Sequence, residues 1–296
     1  MAADVLIALA RANLAASVAI LLVFLTRSSV RRWLGAQLAY ASWILVPIAA
    51  TGSLTPLDVS ARPLASARAV SLAAKAWLAA GPDAIFVGLW LVGLTTGVAW
   101  VIWSQYRYGQ AARSGRAGPA VFGVIAPRLV VPSDYAARFA PEQRRLIRAH
   151  ERAHMDRLDP RFNALAVLLQ CLGWFNPLLH LAAHAMRLDQ ELACDAMVIT
   201  RLPGERRRYA EALLVSQRAP VYAPLGCHWG VGRSVHPLEA RIVTLMQPQP
   251  AQDRRDAGAI GLAVLALVIG LAAWAAQPPA PLDVYPVIYV SMDASP

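Results

Sequence analysis

At 296 residues, with 57% hydrophobic and only 16% charged side chains, the chain has a composition that excludes an ordinary soluble globule. Its formal charge of +10 comes from arginines beside apolar runs and within one internal block, and no nucleic-acid-binding motif accompanies it, so direct nucleic-acid binding is not expected. The three cysteines, Cys171, Cys194 and Cys227, all fall in that block, where reduced thiols are expected and a disulfide framework is not.

A bilayer crossing needs roughly 20 mostly apolar residues. Four stretches qualify: about 5–26, 36–54, 84–104 and 258–276. Arg11 interrupts the first, and snorkelling to the outer surface accounts for it. Arg27, Arg31 and Arg32 follow that run while Asp4 precedes it, which is the reverse of a cleaved signal peptide. By the positive-inside rule the arginines face the cytoplasm. Residues 1–56 then form a transmembrane hairpin entered from outside, 57–83 an external loop, and 84–104 an inward span. Residues 105–257 lie in the cytoplasm, 258–276 run outward, and 277–296 form a short external tail. Within the external loop the Ala-rich stretch 64–80 is expected to lie as a helix on the membrane surface.

After the third span, Tyr106–Gly118 is polar and reads as a linker. Residues 120–125 and 129–131 read as two short strands with prolines at their ends, either a structural hairpin or an edge able to hold an extended peptide. A helix is predicted from Pro141, a favoured first helical residue, to just before Asp159-Pro160. It carries His150-Glu151-Arg152-Ala153-His154, an H-E-x-x-H sequence. Residues four apart share a helix face about 6 Å apart along the axis, so both imidazoles can grip one Zn²⁺ with Glu151 beside its open position. Catalytic zinc takes a third protein ligand, which must come from downstream.

Asn163–Met186 is apolar enough to be a fifth span. If it crossed, His154 and Glu191 would be separated by about 30 Å of hydrocarbon and could not share an ion. Gly173-Trp174-Phe175-Asn176-Pro177 breaks the run, which predicts a buried or membrane-dipping helical hairpin with Trp174 at the interface. His180 and His184 on its second arm have metal-pair spacing but no accompanying Glu, and read as packed or interfacial side chains. His228 and His236 give no spacing signal. Glu191 and Asp195 share a helix face, so one can bind metal while the other accepts the free N–H of a ligand histidine; Asp189 points elsewhere. Cys194 reads as a buried thiol, with a zinc-blocking cysteine as the alternative. Helices are expected over 205–216 and 237–246. Gln247–Asp256 reads as a flexible connection where self-cleavage is conceivable, and Val287–Val290 as a stretch able to join a partner's sheet.

Taken together, H-E-R-A-H at 150–154, W-F-N-P at 174–177, E-L-A-C-D at 191–195 and the four-span frame resemble the BlaR/MecR type of integral-membrane zinc metallopeptidases, transducers of beta-lactam resistance. The resemblance covers the chain to about Ala276. It implies a mainly α membrane protein with four transmembrane helices and a cytoplasmic α+β zincin-like metallopeptidase domain inserted between the third and fourth. It further implies Zn²⁺ on His150, His154 and Glu191, Glu151 as general base, and Asp195 supporting a ligand imidazole. The implied partners are the bilayer of the bacterial inner membrane, a cytoplasmic protein substrate such as a transcriptional repressor, and a second copy of the chain as a homodimer. The family's external penicillin-binding domain has no counterpart in the short tail after residue 276, so beta-lactam sensing is not expected to carry over. Two other readings compete: a non-catalytic transducer or scaffold with structural zinc, and a membrane-protein quality-control metalloprotease.

Overall fold

The computed structural model describes residues 2–55, 83–215, 225, 227–228 and 235–277. The external loop from residue 56 to 82 and the tail beyond Gln277, with the expectations placed on them, lie outside the described residues. Helix α1, Ala2–Leu34, is built from Ala, Leu, Ile and Val, with Asp4 in its first turn and Arg31 and Arg32 in its last, the charge order that suits the helix dipole. Gly35, at φ +102°, reverses the chain. The return run comprises α2, Ala36–Ala41, a 3₁₀ turn, Ser42–Ile44, and α3, Leu45–Gly52. Among the described residues three helices are long and apolar enough to cross a membrane: α1, the segment Ala84–Arg113 and the helix Gln252–Ala275. The expected span over 36–54 is shorter, an apolar Ala36–Gly52 run with the 3₁₀ turn inside it.

Helix α4, Asp83–Arg113, continues through much of the stretch expected to be a linker. Packing accounts for the difference. Tyr108 and Ala111 are buried with Ala117 and Ala120, and the Tyr108 ring stacks on Phe122 at 5.0 Å. Strand β1, Ala120–Phe122, pairs antiparallel with β2, Arg128–Val130, and on its other side with β3, Cys227–His228. The hairpin expected from the sequence therefore has a third strand, and β1 lies at its centre.

The short α5, Tyr135–Arg138, leads to α6, Pro141–Asp156, which has the predicted limits. Ala140 cannot cap it, but the Gln143 side chain reaches back to accept the Ala140 N–H at 3.0 Å. Helices α7, Asp159–Leu172, and α8, Pro177–Arg201, are the two arms of the broken apolar run. Asn176 caps α8 by accepting the Leu178 N–H at 3.0 Å, and Pro177 takes the first helical position. The same Asn176 donates to Asn13 and Ser17 of α1. Trp90 of α4 donates to the Leu172 carbonyl at 2.8 Å. Trp174 occupies the space a Cβ on Gly93 would need, so it lies against the apolar length of α4. The hairpin tip is thus wedged between two candidate spans.

Farther down α8, buried Asp189 accepts from Arg27 and Arg31 of α1, each at 3.1 Å, and from the Trp43 indole at 2.9 Å. Asn176 meets residues 13 and 17, and Asp189 meets residues 27 and 31, so α8 runs parallel to α1 and reaches its arginine-bearing end. Ala16, Ala19, Ile20 and Val23 of α1 pack with Trp43, Val46, Ala49, Leu179 and Ala182. Small residues on α1 let the helices approach closely. Replacing Asp189 with Asn removes a charged acceptor from three donors. Since the arginines are partly solvated, a loss of about 2–3 kcal/mol in detergent-denaturation stability is expected.

Helix α9, Arg206–Val215, and α10, Val235–Met246, close a second core with Phe139, Leu146, Ile147 and Val198. Helix α11, Gln252–Ala275, begins inside the stretch expected to be a flexible connection, leaving only residues 247–251 irregular.

Candidate metal centre

Helix α6 presents His150, Glu151 and His154 to the interior, all fully buried. Glu191 arrives from α8, its carboxylate oxygens 3.4 Å from His150 Nε2 and 3.5 Å from His154 Nε2. The two Nε2 atoms are 3.0 Å apart. A tetrahedral ion with bonds of about 2.0–2.1 Å separates its ligand atoms by roughly 3.3 Å. Each separation lies close to that value, with Oε2 of Glu191 facing His150 and Oε1 facing His154.

Hydrogen bonding supports the fit. His154 Nδ1 lies 2.7 Å from Asp159 Oδ2, and a carboxylate can only accept, so Nδ1 carries the proton. His150 Nδ1 lies 2.7 Å from the Tyr209 hydroxyl, which itself donates to Asp195 Oδ1 at 2.6 Å. Burial, reinforced by Asp195, raises the Tyr209 hydroxyl well above its ordinary range, so it remains a donor to Asp195 and accepts from His150. Both rings therefore aim bare Nε2 lone pairs at each other and at a carboxylate. Three converging acceptors repel unless a cation lies among them, and two neutral imidazoles with one carboxylate suit zinc.

Asp195 lies 3.3 Å from His150 Nδ1, but the shorter contacts pass through Tyr209. Arg241 of α10 holds Asp195 from two sides, Nε to Oδ2 at 2.8 Å and Nη2 to Oδ1 at 2.7 Å. Its Nη1 is 3.0 Å from Glu191 Oε2. That contact is at ion-pair range without hydrogen-bond alignment, which leaves the Oε2 lone pairs directed elsewhere. Desolvation raises the pKa of both carboxylates, but Arg241 and the imidazoles outweigh it: Glu191 is held well below its ordinary value and Asp195 at about 2. Both are anionic.

Glu151 is the exception. Its two carboxylate oxygens make no hydrogen bond among the described residues, and desolvation, partly opposed by His154 and His150, pushes its carboxyl up to about 7. Such a group is suited to taking up and releasing a proton.

Cys194 Sγ sits 3.2 Å from His154 Nδ1 and 3.4 Å from Asp159 Oδ2, on the side of the ring away from the three converging donors. Burial pushes its thiol up to about 12, so it packs as a neutral S–H and does not block the metal position. His180 bonds to the Trp174 carbonyl and to Gln170, and His184 is exposed, so neither joins a metal-ligand group among the described residues. His228 falls in β3, and the side chain of His236 lies outside the described residues.

Two contributors, Arg241 and Tyr209, were not singled out from the sequence, and Asp159 was read there as the end of the metal helix without a role toward His154. Leu158, with φ +59°, makes the turn that swings Asp159 back onto His154. Removing a carboxylate that orients a ligand histidine costs 10–100-fold in metal affinity, so Asp159→Ala is expected to weaken zinc binding by about that factor in chelator competition.

An H-E-x-x-H helix, a carboxylate from a later helix, and long apolar helices around them define a membrane metallopeptidase-type architecture. The chain belongs to the BlaR1 peptidase M56 family, whose model matches residues 7–106 and 111–245. Regulatory protein BlaR1 of Bacillus licheniformis is 29% identical over 138 residues, 45% of this chain and 22% of that protein. The methicillin resistance mecR1 proteins of Staphylococcus aureus strain Mu50 and Staphylococcus epidermidis are each 33% identical over 97 residues, 32% of this chain and 17% of theirs. The matches thus span about a fifth of those relatives' lengths.

Proposed function

We propose that the chain is a membrane-anchored zinc endopeptidase acting as a signal transducer, cleaving itself or a cytoplasmic regulatory protein such as a transcriptional repressor. The observation that carries this reading is the convergence of His150 Nε2, His154 Nε2 and a Glu191 oxygen, with each ligand atom within 4.8 Å of the others, beside the Glu151 carboxylate, which makes no hydrogen bond among the described residues. When bound, zinc would supply a Lewis acid that acidifies water and polarises a peptide carbonyl. Glu151 would accept the proton of the attacking water and hand it to the departing amine. Asp159 and the Tyr209–Asp195 pair would keep the imidazoles turned, and Arg241 would keep Glu191 and Asp195 ionised. The regulatory role is supported by the likeness to regulatory protein BlaR1 of Bacillus licheniformis.

Orientation is part of the same proposal. Arg27 and Arg31 lie at the end of α1 that Asp189 ties to α8, two residues before Glu191. If those arginines face the cytoplasm, the site does too. The Ala36–Gly52 run would complete a four-pass chain, and two such chains would pair as a homodimer.

Metal analysis of the purified full chain, combined with N-terminal sequencing of its fragments, tests the reading. About one zinc per chain is expected, with fragments that vanish in His150→Ala and on chelation and return on adding zinc. Fragments that persist without metal would remove the peptidase assignment. Zinc without any cleavage would favour the structural-zinc scaffold, and indiscriminate cleavage of misfolded membrane proteins the quality-control reading.

A further inference from the structure

Between α2–α3, α7, α8 and α11 lies an apolar groove of about 550 Å³, lined by residues such as Leu38, Val46, Leu165, Ala182, Leu262 and Ala266. Its α11 wall repeats at Ala259, Leu262, Ala263 and Ala266, one face of a helix apolar enough to cross a membrane. At one end its character changes. Arg157 and Gln37 line that end, with the Arg157 guanidinium 4.3 Å above the Tyr40 ring. Arg255 stands one turn before Ala259 on the same face of α11, near Gly35; its Nη2 donates to Gln252, while its buried Nε makes no hydrogen bond among the described residues. The groove therefore has a long hydrocarbon wall, with Arg157, paired with Asp159, in its lining and Arg255 one turn beyond the lining on α11.

We infer that this groove holds a single anionic phospholipid, one acyl chain lying along α3 and α11 and its phosphate at the Arg255–Arg157 end. Size favours a chain over a helix. A methylene is close to a water molecule's roughly 30 Å³, so the space takes on the order of 18 carbons. A helix about 10 Å wide would fill it in little more than one turn. Charge favours a lipid with a net negative head, since Arg255 adds a cation beyond the groove's lining whose Nε donor is suited to phosphate. The position gives the lipid reach: Arg157 pairs with Asp159 at 3.6 Å, and Asp159 bonds His154. The inference rests on the membrane placement of α3 and α11 and not on peptidase chemistry. Failure of that placement is read separately, by whether the chain stays in the membrane on alkaline extraction.

The test uses the full chain in nanodiscs of mixed phosphatidylglycerol and phosphatidylethanolamine, released for native mass spectrometry. One retained phosphatidylglycerol per chain is expected. Ala166→Trp and Ala263→Trp, which fill the groove, should reduce retention about tenfold or more at unchanged zinc content. Arg255→Gln leaves the lining intact and should abolish the preference for phosphatidylglycerol, which keeps the test decisive if the tryptophan variants fail to fold. Equal retention in folded groove-filled chains, or an unchanged lipid preference in Arg255→Gln, overturns the proposal. So does a photo-crosslinker at position 263 that captures a second copy or another polypeptide instead of lipid.

Discussion

Glu151→Gln is expected to lower cleavage by about 10²–10⁴-fold while leaving zinc content unchanged and stability equal or higher. Gln has nearly the same shape and keeps the three candidate ligands untouched, but it cannot accept a proton. The stability half of this expectation comes from the burial. A carboxyl that is fully enclosed and makes no hydrogen bond within the described protein is costly to ionise, which is why it titrates at about 7 and carries part of that cost at neutral pH. Replacing it with a neutral amide removes that cost. A residue serving the fold would show the opposite sign, so activity and the thermal midpoint, measured on the same preparation, separate the roles. Undiminished proteolysis would eliminate Glu151 as the proton carrier; lost zinc would make it a structural group.

Much of this centre was legible because local rules governed it. The limits of α6 follow from Pro141 and Asp159-Pro160, and the pair at 150 and 154 follows from helical spacing alone. The break at 173–177 was forced by geometry, since an unbroken crossing would have parted His154 from Glu191. Where tertiary contacts decided, the sequence misled. Residues 106–113 look like a linker because they are polar, yet Tyr108 and Ala111 find a buried partner surface at β1. Residues 252–256 look flexible because they are charged, yet they extend an apolar helix by a turn. Asp159 was read as a stop signal, which it is, but its side chain also serves His154. Arg241 was hidden among the many arginines assigned to the inner membrane face. A signal was nevertheless present: Leu238, Arg241 and Leu245 occupy one stripe of α10, so the arginine stands in a core position between two leucines. A guanidinium in that register calls for a buried anion, and Asp195 and Glu191 supply two.

That placement makes Arg241→Met the substitution with the largest expected effect on the folded state. Arg241 is fully buried and bridges α10 to α8 through Asp195 and Glu191. Methionine fills part of the volume but leaves two buried carboxylates without their cation, and breaking a buried pair from one side costs about 3–5 kcal/mol. Zinc affinity should fall as well, since Glu191 loses the charge that keeps it ionised and Asp195 loses the grip that holds Tyr209 toward His150. Arg241→Lys should recover little of this, because an ammonium cannot reach Asp195 in two parallel contacts and Glu191 in a third. Asp195→Asn in the Arg241→Met background should recover part of the stability by removing one orphaned charge, although Asn also weakens the Tyr209 contact. Denaturation midpoints and chelator competition on the parent, Arg241→Met, Asp195→Asn and the double variant form a cycle with a defined sign. If Arg241→Met matches the parent in both measurements, the ion cluster behind the metal centre is not what holds α8 in register with α6.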